Sequence, residues 1–327
     1  MAQTLTLLML GTGTTGASIG LALRRAGENF QRIGYDPDPQ TLRKAQQLGA
    51  VDRIVNNPAG AASEADLVLL NLPGPNSLPT VEAIAGRLKA DTVVLSTAGL
   101  HGPAMDPVRE RLAPNHPCVA AVPFLGPLAA LFDAEGEASA DRFDGGMLGI
   151  VAPQGTPEGA VEICMDLAVV LHATPFFLEA AELDSVTATS EEIPSLLAAA
   201  AVESLQVNPG WRDQRRLVGR PFARLASLVG GKAGSELASE LIFNRGPLIS
   251  RLDALAEELG ALRRMLESAD QAGLTDRLNH AAAIYHEWRS IRLDAQPDHG
   301  VETPPPLRTS LFDRLVGGLG RPAAKKP

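Results

Sequence analysis

A strand, a glycine turn and a helix are predicted for the first 27 residues, and this unit limits what the chain can fold into. Leu5–Leu10 is a continuous apolar run, as expected of a strand buried on both faces of a sheet. Gly11, Gly13 and Gly16 follow at the spacing G-x-G-x-x-G. Apolar residues then recur with helical period until Gly27, a helix stop. The stretch predicts a phosphate-binding turn between a strand and a helix.

The glycine turn and an acid downstream together predict a dinucleotide site. Backbone N–H groups at Thr14, Thr15 and Gly16 would hold the phosphates at the positive end of the helix dipole. Asp36 lies about twenty residues further on, where an acid takes the ribose hydroxyls, and Asp38 is close behind it. NAD is predicted rather than NADP, because these carboxylates would repel a 2′-phosphate and no arginine follows directly. The alternative is a turn that merely connects strand and helix. The predicted cofactor contacts in this part of the chain are Gly11, Gly13, Thr14, Thr15, Gly16 and Asp36.

The rest of the first half alternates strands and helices, which predicts a parallel sheet built by right-handed crossovers. Apolar, strand-like runs end at Leu72 and Leu95. Ligands of such sheets bind beyond the carboxyl ends of the strands, so Leu72 with Pro73, and Ser96–His101, are predicted beside the cofactor. Asp133–Gly146 is rich in acids, glycines and small residues and is predicted to be an exposed loop.

The second half carries helical patterns only. Strand signals end at Thr174–Leu178, and the long helices that follow include Pro194, which should kink its helix. The predicted architecture is α/β: a Rossmann-type, doubly wound parallel sheet at 1–179, then an all-α substrate and dimerisation domain at 180–295. A homodimer is expected through that domain. The proline-rich tail, 296–327, is predicted to be mostly disordered.

Composition excludes several classes of partner. A formal net charge of −9 and the lack of a cationic cluster argue against nucleic acid. No apolar run reaches about 18 residues, so no membrane span is predicted. Cys118 and Cys164 have no metal-ligand or C-x-x-C spacing, which predicts no metal site and fits a reducing cytoplasm.

Five segments resemble the prephenate and arogenate dehydrogenases of tyrosine biosynthesis, and the likeness extends to about Asp294. They are GTGTTGASIGLALRRAG, IGYDPDPQTLRKAQQLGAVD, RFDGGMLGIVAP, IPSLLAAA and RPFARLASLVGGKAGSELASELIFNR. The first is shared with other dinucleotide enzymes, whereas FARLAS…NR is more specific. The resemblance implies an oxidoreductase with a nucleotide domain, a helical dimerisation domain and a substrate lodged between them.

The implied reaction is oxidative decarboxylation of a cyclic hydroxy acid. The resemblance places Arg224, in FARLAS, where an arginine binds a carboxylate of the substrate; the alternative role is a surface or interface salt bridge. Ser96 and Thr97, just after a strand, are further candidate substrate contacts.

The chain departs from the family at the catalytic histidine. The family's histidine begins a five-residue motif that continues with proline and two apolar or small residues and ends in glycine. The matching stretch here is Val122-Pro123-Phe124-Leu125-Gly126. Valine cannot transfer a proton. Two further family histidines are replaced by Leu183 and Glu192. His101 is the histidine predicted near the nicotinamide and is the candidate acid or base, unless it is a solvent-facing loop residue.

Two other functions fit parts of the sequence. A β-hydroxyacid dehydrogenase shares the nucleotide domain and a serine before a glycine turn, but its lysine is missing from 181–205. A catalytically degenerate dinucleotide-binding dimer would explain Val122 and leave Arg224 unexplained. Prephenate, arogenate and other acids remain open as substrates.

Overall fold

The computed structural model describes residues 4–27, 29–72, 74–98, 102, 105–112, 116–132, 136–207, 210–230, 234–293, 311 and 315. Contacts divide the chain into two compact units. The first unit consists of Met1–Ala180 and Trp288–Pro327 and contains the sheet; the second, Ala181–Glu287, is helical in its described part.

The first unit is built on a sheet of eight strands within the described residues. These are β1 Leu5–Leu10, β2 Phe30–Tyr35, β3 Arg53–Ile54, β4 Leu67–Leu70, β5 Val93–Ser96, β6 Cys118–Pro123, β7 Met147–Val151 and β8 Thr174–Phe177. Their order across the sheet is β3-β2-β1-β4-β5-β6-β7-β8. The order reverses between β1 and β4, which makes the sheet doubly wound and confirms the predicted fold class.

The sequence had predicted a parallel sheet, but the observed sheet is not parallel throughout. β7 runs antiparallel to β6, and β8 is parallel to β7. A parallel neighbour needs a crossover that carries the chain back across the sheet. Here the connection folds back at the edge where β6 ends, and the N–H of Phe124 donates to the carbonyl of Met147 at 2.8 Å. Direction is therefore reversed at β7.

Helices flank the sheet and form the second unit. Those of the first unit are α1 Thr14–Arg25, α2 Pro39–Leu48, α3 Pro58–Ala62, α4 Gly74–Ile84, α5 Asp106–Leu112, α6 Pro127–Phe132 and α7 Glu158–Val170. The later helices are α8 Ala180–Thr187, α9 Ile193–Ser204, α10 Trp211–Gln214, α11 Arg220–Gly230, α12 Gly234–Phe243, α13 Arg245–Glu267 and α14 Gln271–Leu293. α1 and α7 share one core cluster with the strands.

The core of the first unit follows from the apolar strands. Leu7, Leu8 and Leu10 of β1 are fully buried, as expected where helices cover both faces of the sheet. Successive side chains of β1 point to opposite faces of the sheet, and both faces are covered. The strand therefore needs no polar face.

The segment 136–146 is packed, so the predicted exposed loop is wrong for its described part. Phe143 is 1 % exposed and belongs to the core cluster. Gly126 makes room for the segment, since a Cβ there would lie 2.2 Å from the carbonyl oxygen of Asp144. A single buried aromatic between polar and glycine residues gives no periodic signal, which is why the sequence pattern did not show it.

Two features of the later chain bear on the predictions. Pro194 follows a π-helical turn, Ala188–Glu192, which interrupts the α-helical hydrogen bonding between α8 and α9. Leu311, in the predicted disordered tail, is buried in the core of the first unit, and Leu315 packs against that core. The rest of 296–327 lies outside the described residues.

Candidate functional site

The turn between β1 and α1 requires glycine at two of its three glycine positions for reasons within the protein. Gly11 has φ +95°, and a Cβ there would lie 2.3 Å from the carbonyl oxygen of Asn71. A Cβ at Gly16 would lie 2.2 Å from the carbonyl oxygen of Gly11. Both distances are far inside van der Waals contact, so these glycines let the turn close on itself and on the end of β4.

Gly13 differs because the protein leaves it room for a side chain. A Cβ at Gly13 would meet no atom within 4 Å. Gly13 and Thr14 line a cleft of about 330 Å³. Its other lining residues are Thr12, Ala17, Thr41, Lys44, Ala45, Leu48, Gly136, Glu137 and Ala138. A glycine that packing does not require is explained by a ligand that approaches the backbone closely.

The amino end of α1 is open to an anion. Gly13 is the N-cap and has no side chain to cap the helix, and the first turn carries no acidic residue. The hydrogen bonding of the helix begins with the N–H of Ala17, which donates to the carbonyl of Gly13 at 2.8 Å. No described residue accepts a hydrogen bond from the N–H groups of Thr14, Thr15 or Gly16. Such a helix end is a phosphate-binding arrangement.

The carboxylate of Asp36 lies beside this turn. Its Oδ2 accepts from the Thr12 N–H at 2.7 Å and the Thr12 hydroxyl at 3.3 Å. Its Oδ1 accepts from the N–H of Asp38 at 3.0 Å. A carboxylate offers about four acceptor positions, so roughly one remains on Oδ1 for a ligand hydroxyl. Asp36 therefore holds the turn and can still accept from a ribose.

Asp38 caps α2, a role that the sequence interpretation did not assign to it. Its side chain accepts from the hydroxyl of Thr41 and from the N–H groups of Gln40 and Thr41. These hydrogen bonds, that of the Thr41 hydroxyl first, hold the pKa of Asp38 below its usual range. The signal was available in the sequence, because aspartate before a proline and a polar first turn marks a helix start.

The ends of β4 and β5 are joined by a residue that the sequence interpretation missed, Asn71. Its side-chain oxygen accepts from the hydroxyl of Thr97 at 3.1 Å. Thr97, Leu72 and Ser96 are all buried, and the Ser96 hydroxyl has no partner among the described residues. The roles of Ser96 and Thr97 in substrate binding and of Leu72 in cofactor binding stay predictions. Pro73 lies outside the described residues.

The stretch predicted to stand in place of the family's histidine motif begins inside the sheet. Val122 belongs to β6, pairs with Gly149 of β7 and is buried. The backbone carbonyl of Leu125, past the end of β6, accepts a hydrogen bond from the side chain of Arg292. Desolvation lowers the pKa of this arginine. His101, the candidate acid or base, lies outside the described residues.

Arg224 lies on α11 in the helical unit. Its side chain is exposed and contacts no carboxylate among the described residues. A buried polar pair in the same unit had no counterpart in the sequence prediction: the Asn244 side chain donates to Glu192 Oε2 at 2.5 Å and to the Asp184 carbonyl at 3.4 Å. Glu192 ends the π-helical turn, and its carboxylate is thereby partnered inside the unit.

The described part of the chain offers neither a metal-binding cluster nor a membrane-spanning helix. No group of three or more histidine, cysteine, aspartate or glutamate side chains there could hold a metal ion. No helix there combines the length and apolar character needed to cross a bilayer.

Burial raises the pKa of the Cys118 thiol to about 11, although the nearby charge of Arg109 acts to lower it.

Comparison with known proteins identifies the first unit. Residues 19–169 match the family model "Prephenate dehydrogenase, nucleotide-binding domain". The probable prephenate dehydrogenase NovF of Streptomyces niveus is 28% identical over 272 residues, which cover 80% of this chain and 68% of that protein. Prephenate dehydrogenase of Bacillus subtilis (strain 168) is 21% identical over 272 residues, covering 82% and 72%.

Solved structures share the fold across both units. Prephenate dehydrogenase from A. aeolicus, in complex with hydroxyphenyl propionate and NAD+, superposes with a TM-score of 0.76 at 18% identity. The superposition covers 87% of this chain and 98% of that one. At this identity the likeness shows the fold. The chain is thus similar to prephenate dehydrogenases, in sequence over 80% of its length and in fold over 87%.

Proposed function

We propose that this protein is an NAD-dependent dehydrogenase that oxidises a cyclic hydroxy carboxylic acid, with loss of one carboxylate as carbon dioxide. The observation that carries the cofactor assignment is the open backbone at Gly13, next to the N–H groups of Thr14, Thr15 and Gly16. The protein supplies neither a side chain nor a described acceptor there, so a pyrophosphate would complete these hydrogen bonds. Bound NAD would supply the hydride acceptor.

NAD is preferred over NADP in this proposal because of charge at the end of β2. Asp36 keeps about one acceptor position for a ribose hydroxyl. Asp38 adds a second carboxylate, which like an ordinary aspartate is ionised at neutral pH. A 2′-phosphate would meet both negative charges. Titration of both cofactors by fluorescence or calorimetry should give tighter binding of NAD, and Asp36→Asn should reduce the preference. Equal or tighter binding of NADP by the native protein would contradict the proposal.

The substrate is proposed to be prephenate, arogenate or a close relative, held through a carboxylate by Arg224. The guanidinium is exposed, without a described counter-ion, and its planar donors match a carboxylate. Arg224→Ala should weaken substrate binding by about 2 to 5 kcal/mol if the pair is desolvated in the complex, and leave NAD binding unchanged. An unchanged substrate affinity would return Arg224 to a structural role.

The reaction should be slow on prephenate because Val122 offers no proton acceptor. As hydride leaves the ring carbon that bears the hydroxyl, the hydroxyl proton needs a base and the carboxylate leaves as carbon dioxide. Losing general-base help costs about 10² to 10⁴ in rate. His101 is proposed as the substitute.

The deciding experiment is a cofactor-reduction assay with prephenate and arogenate side by side. We expect low native activity on prephenate, a gain for Val122→His and a further loss for His101→Ala. Ordinary native turnover that His101→Ala leaves unchanged would contradict both the deficit and the substitute. NAD binding without turnover of either substrate would favour the degenerate dinucleotide-binding dimer.

Two further parts of the proposal concern assembly and location. We place a homodimer interface on the helical unit, where large apolar side chains such as Leu266 and Leu278 are more than half exposed. A cytoplasmic location stays a prediction from cysteine content. Light scattering at micromolar concentration tests the first, and fractionation of cells tests the second.

A further inference from the structure

The segment 136–146 lies along α1 and is fastened to it near both ends. Phe143 is buried in the core that α1 shares. Asp144 accepts two hydrogen bonds from Arg25, in the last turn of α1, at 2.8 and 3.1 Å. At the other end, the N–H of Ser139 donates to the hydroxyl of Ser18 at 3.1 Å. The two fastening points on α1, Ser18 and Arg25, are about 10 Å apart along a helix that is about 18 Å long.

Ser18 joins this segment to the first turn of α1. Its hydroxyl is fully buried and donates to the carbonyl of Thr14 at 2.7 Å, while it accepts from the N–H of Ser139. The Ser18 hydroxyl therefore acts both as a hydrogen-bond donor and as an acceptor. A hydroxyl that only bonded back to its own helix would be ordinary. Here the second bond connects residues 121 positions apart in the chain.

The same segment forms a wall of the cleft beside the glycine turn. Gly136, Glu137 and Ala138 line it together with Gly13 and Thr14. The next residue, Ser139, makes the bond to Ser18. The wall of the cleft and the backbone of the phosphate-binding turn are therefore connected through a single buried side chain.

We propose that Gly136, Glu137 and Ala138 are part of the cofactor site and that Ser18 is a positioning residue for dinucleotide binding. Ser18 fixes the Thr14 carbonyl, and with it the turn whose N–H groups face the pyrophosphate. Holding a binding group in its bound arrangement reduces the ordering cost of binding. This inference rests on the proposed dinucleotide function.

The test compares two variants that loosen the segment at opposite ends of α1. Ser18→Ala removes the link at the phosphate end, and Asp144→Asn weakens the pair with Arg25 at the far end. One neutral hydrogen bond corresponds to about a fivefold change in an equilibrium constant, so Ser18→Ala should weaken NAD binding about fivefold or more. Asp144→Asn should change NAD affinity less than about twofold even where it lowers the melting temperature as much. NAD titration by calorimetry and thermal unfolding of the full chain supply both readouts.

A second pair of variants covers the case in which Ser18→Ala fails to fold. Ser139→Pro removes the N–H that reaches Ser18, whereas Ser139→Ala retains it. The proline variant should bind NAD more weakly than the alanine variant. If the native chain binds NAD and both Ser18→Ala and Ser139→Pro bind it equally tightly, the positioning role is wrong. It is also wrong if Asp144→Asn weakens binding as much as Ser18→Ala. If the native chain binds neither NAD nor NADP, the proposed function itself fails.

Discussion

The two units differ in how completely they bury their apolar side chains. In the first, the central strands are enclosed by helices, and β1, β4 and β5 are buried almost throughout. In the described part of the second, the buried hydrophobic residues are Leu183, Ala188, Ala198 and Leu248. Large side chains such as Leu266 and Ile242 are about two-thirds exposed.

This difference shows which unit has a complete core. Burial of apolar surface is the main favourable term in folding, about 25 cal/mol per Å². The first unit, hereafter the nucleotide unit, obtains that burial within one chain. The helical unit leaves much of its apolar surface uncovered, which is the physical reason for proposing that a second copy covers it.

The largest expected effect is on self-association. The double variant Leu266→Asp with Leu278→Asp should raise the dimer dissociation constant by about 10² to 10⁴, because each charge enters a two-fold interface twice and loses hydration there. Light scattering over a concentration series measures the change. Gln47→Asp, an exposed position on α2, is the matched control and should leave the dimer intact. A native chain that is monomeric at micromolar concentration would contradict the proposed role of the helical unit.

The next effect concerns the stability of the nucleotide unit. Arg32 is buried and donates to Asp52 at 2.6 and 3.0 Å and to the Gly20 carbonyl at 2.8 Å. Arg32→Ala should lower the free energy of unfolding by about 2 to 3 kcal/mol, because it leaves these acceptors without their donor. Arg53→Ala breaks an exposed pair with Glu64 and should cost less than about 1 kcal/mol. Urea unfolding of both variants tests the comparison, and equal losses would show that burial is not what matters.

A smaller effect separates glycine needed for folding from glycine needed for the ligand. Gly13→Ala should weaken NAD binding about tenfold and change stability by less than about 1 kcal/mol, since its Cβ meets no protein atom. Gly16→Ala should lower both, since its Cβ would clash with Gly11 and cost about 1 to 3 kcal/mol. Calorimetry with parallel unfolding curves distinguishes the two. A Gly13→Ala chain that binds NAD normally would remove the main support for the cofactor site.

The smallest effect is a pH dependence of the Arg32 contribution. Desolvation raises the pKa of Asp52, but hydrogen bonds from Arg32 outweigh it and hold that pKa below its ordinary value. A depressed folded-state pKa adds stability above the unfolded pKa of about 3.9 and loses it as pH falls through the folded pKa. The stability gap between the native chain and Arg32→Ala should therefore shrink below about pH 4. The change should be under about 1 kcal/mol, because Asp52 is 43% exposed. A gap that widens in acid would reverse the assigned sign.

Much of the nucleotide unit could be predicted because its signals are local. The run Leu5–Leu10 became β1, and the apolar period after Gly13 became α1. The fold class was also predicted correctly, and the predicted resemblance agrees with the match of residues 19–169 to the nucleotide-binding domain of prephenate dehydrogenases. The direction of β7 was not, because strand direction depends on how the connection from β6 folds back. Asn71 was missed for a similar reason: its partner, Thr97, is brought near by strand pairing alone.

The sequence by itself determined the glycine turn between β1 and α1, the fold class and the change to helices near residue 180. A glycine turn, an apolar strand and a helical period are properties of neighbouring residues, so composition and spacing reveal them. Only the tertiary structure decided that the segment 136–146 lies along α1 and reaches the cleft. That arrangement depends on Ser18 and Ser139, 121 residues apart, and on the burial of Phe143. Contacts at such separation leave no periodic trace in the sequence, because packing against a completed sheet is what selects them.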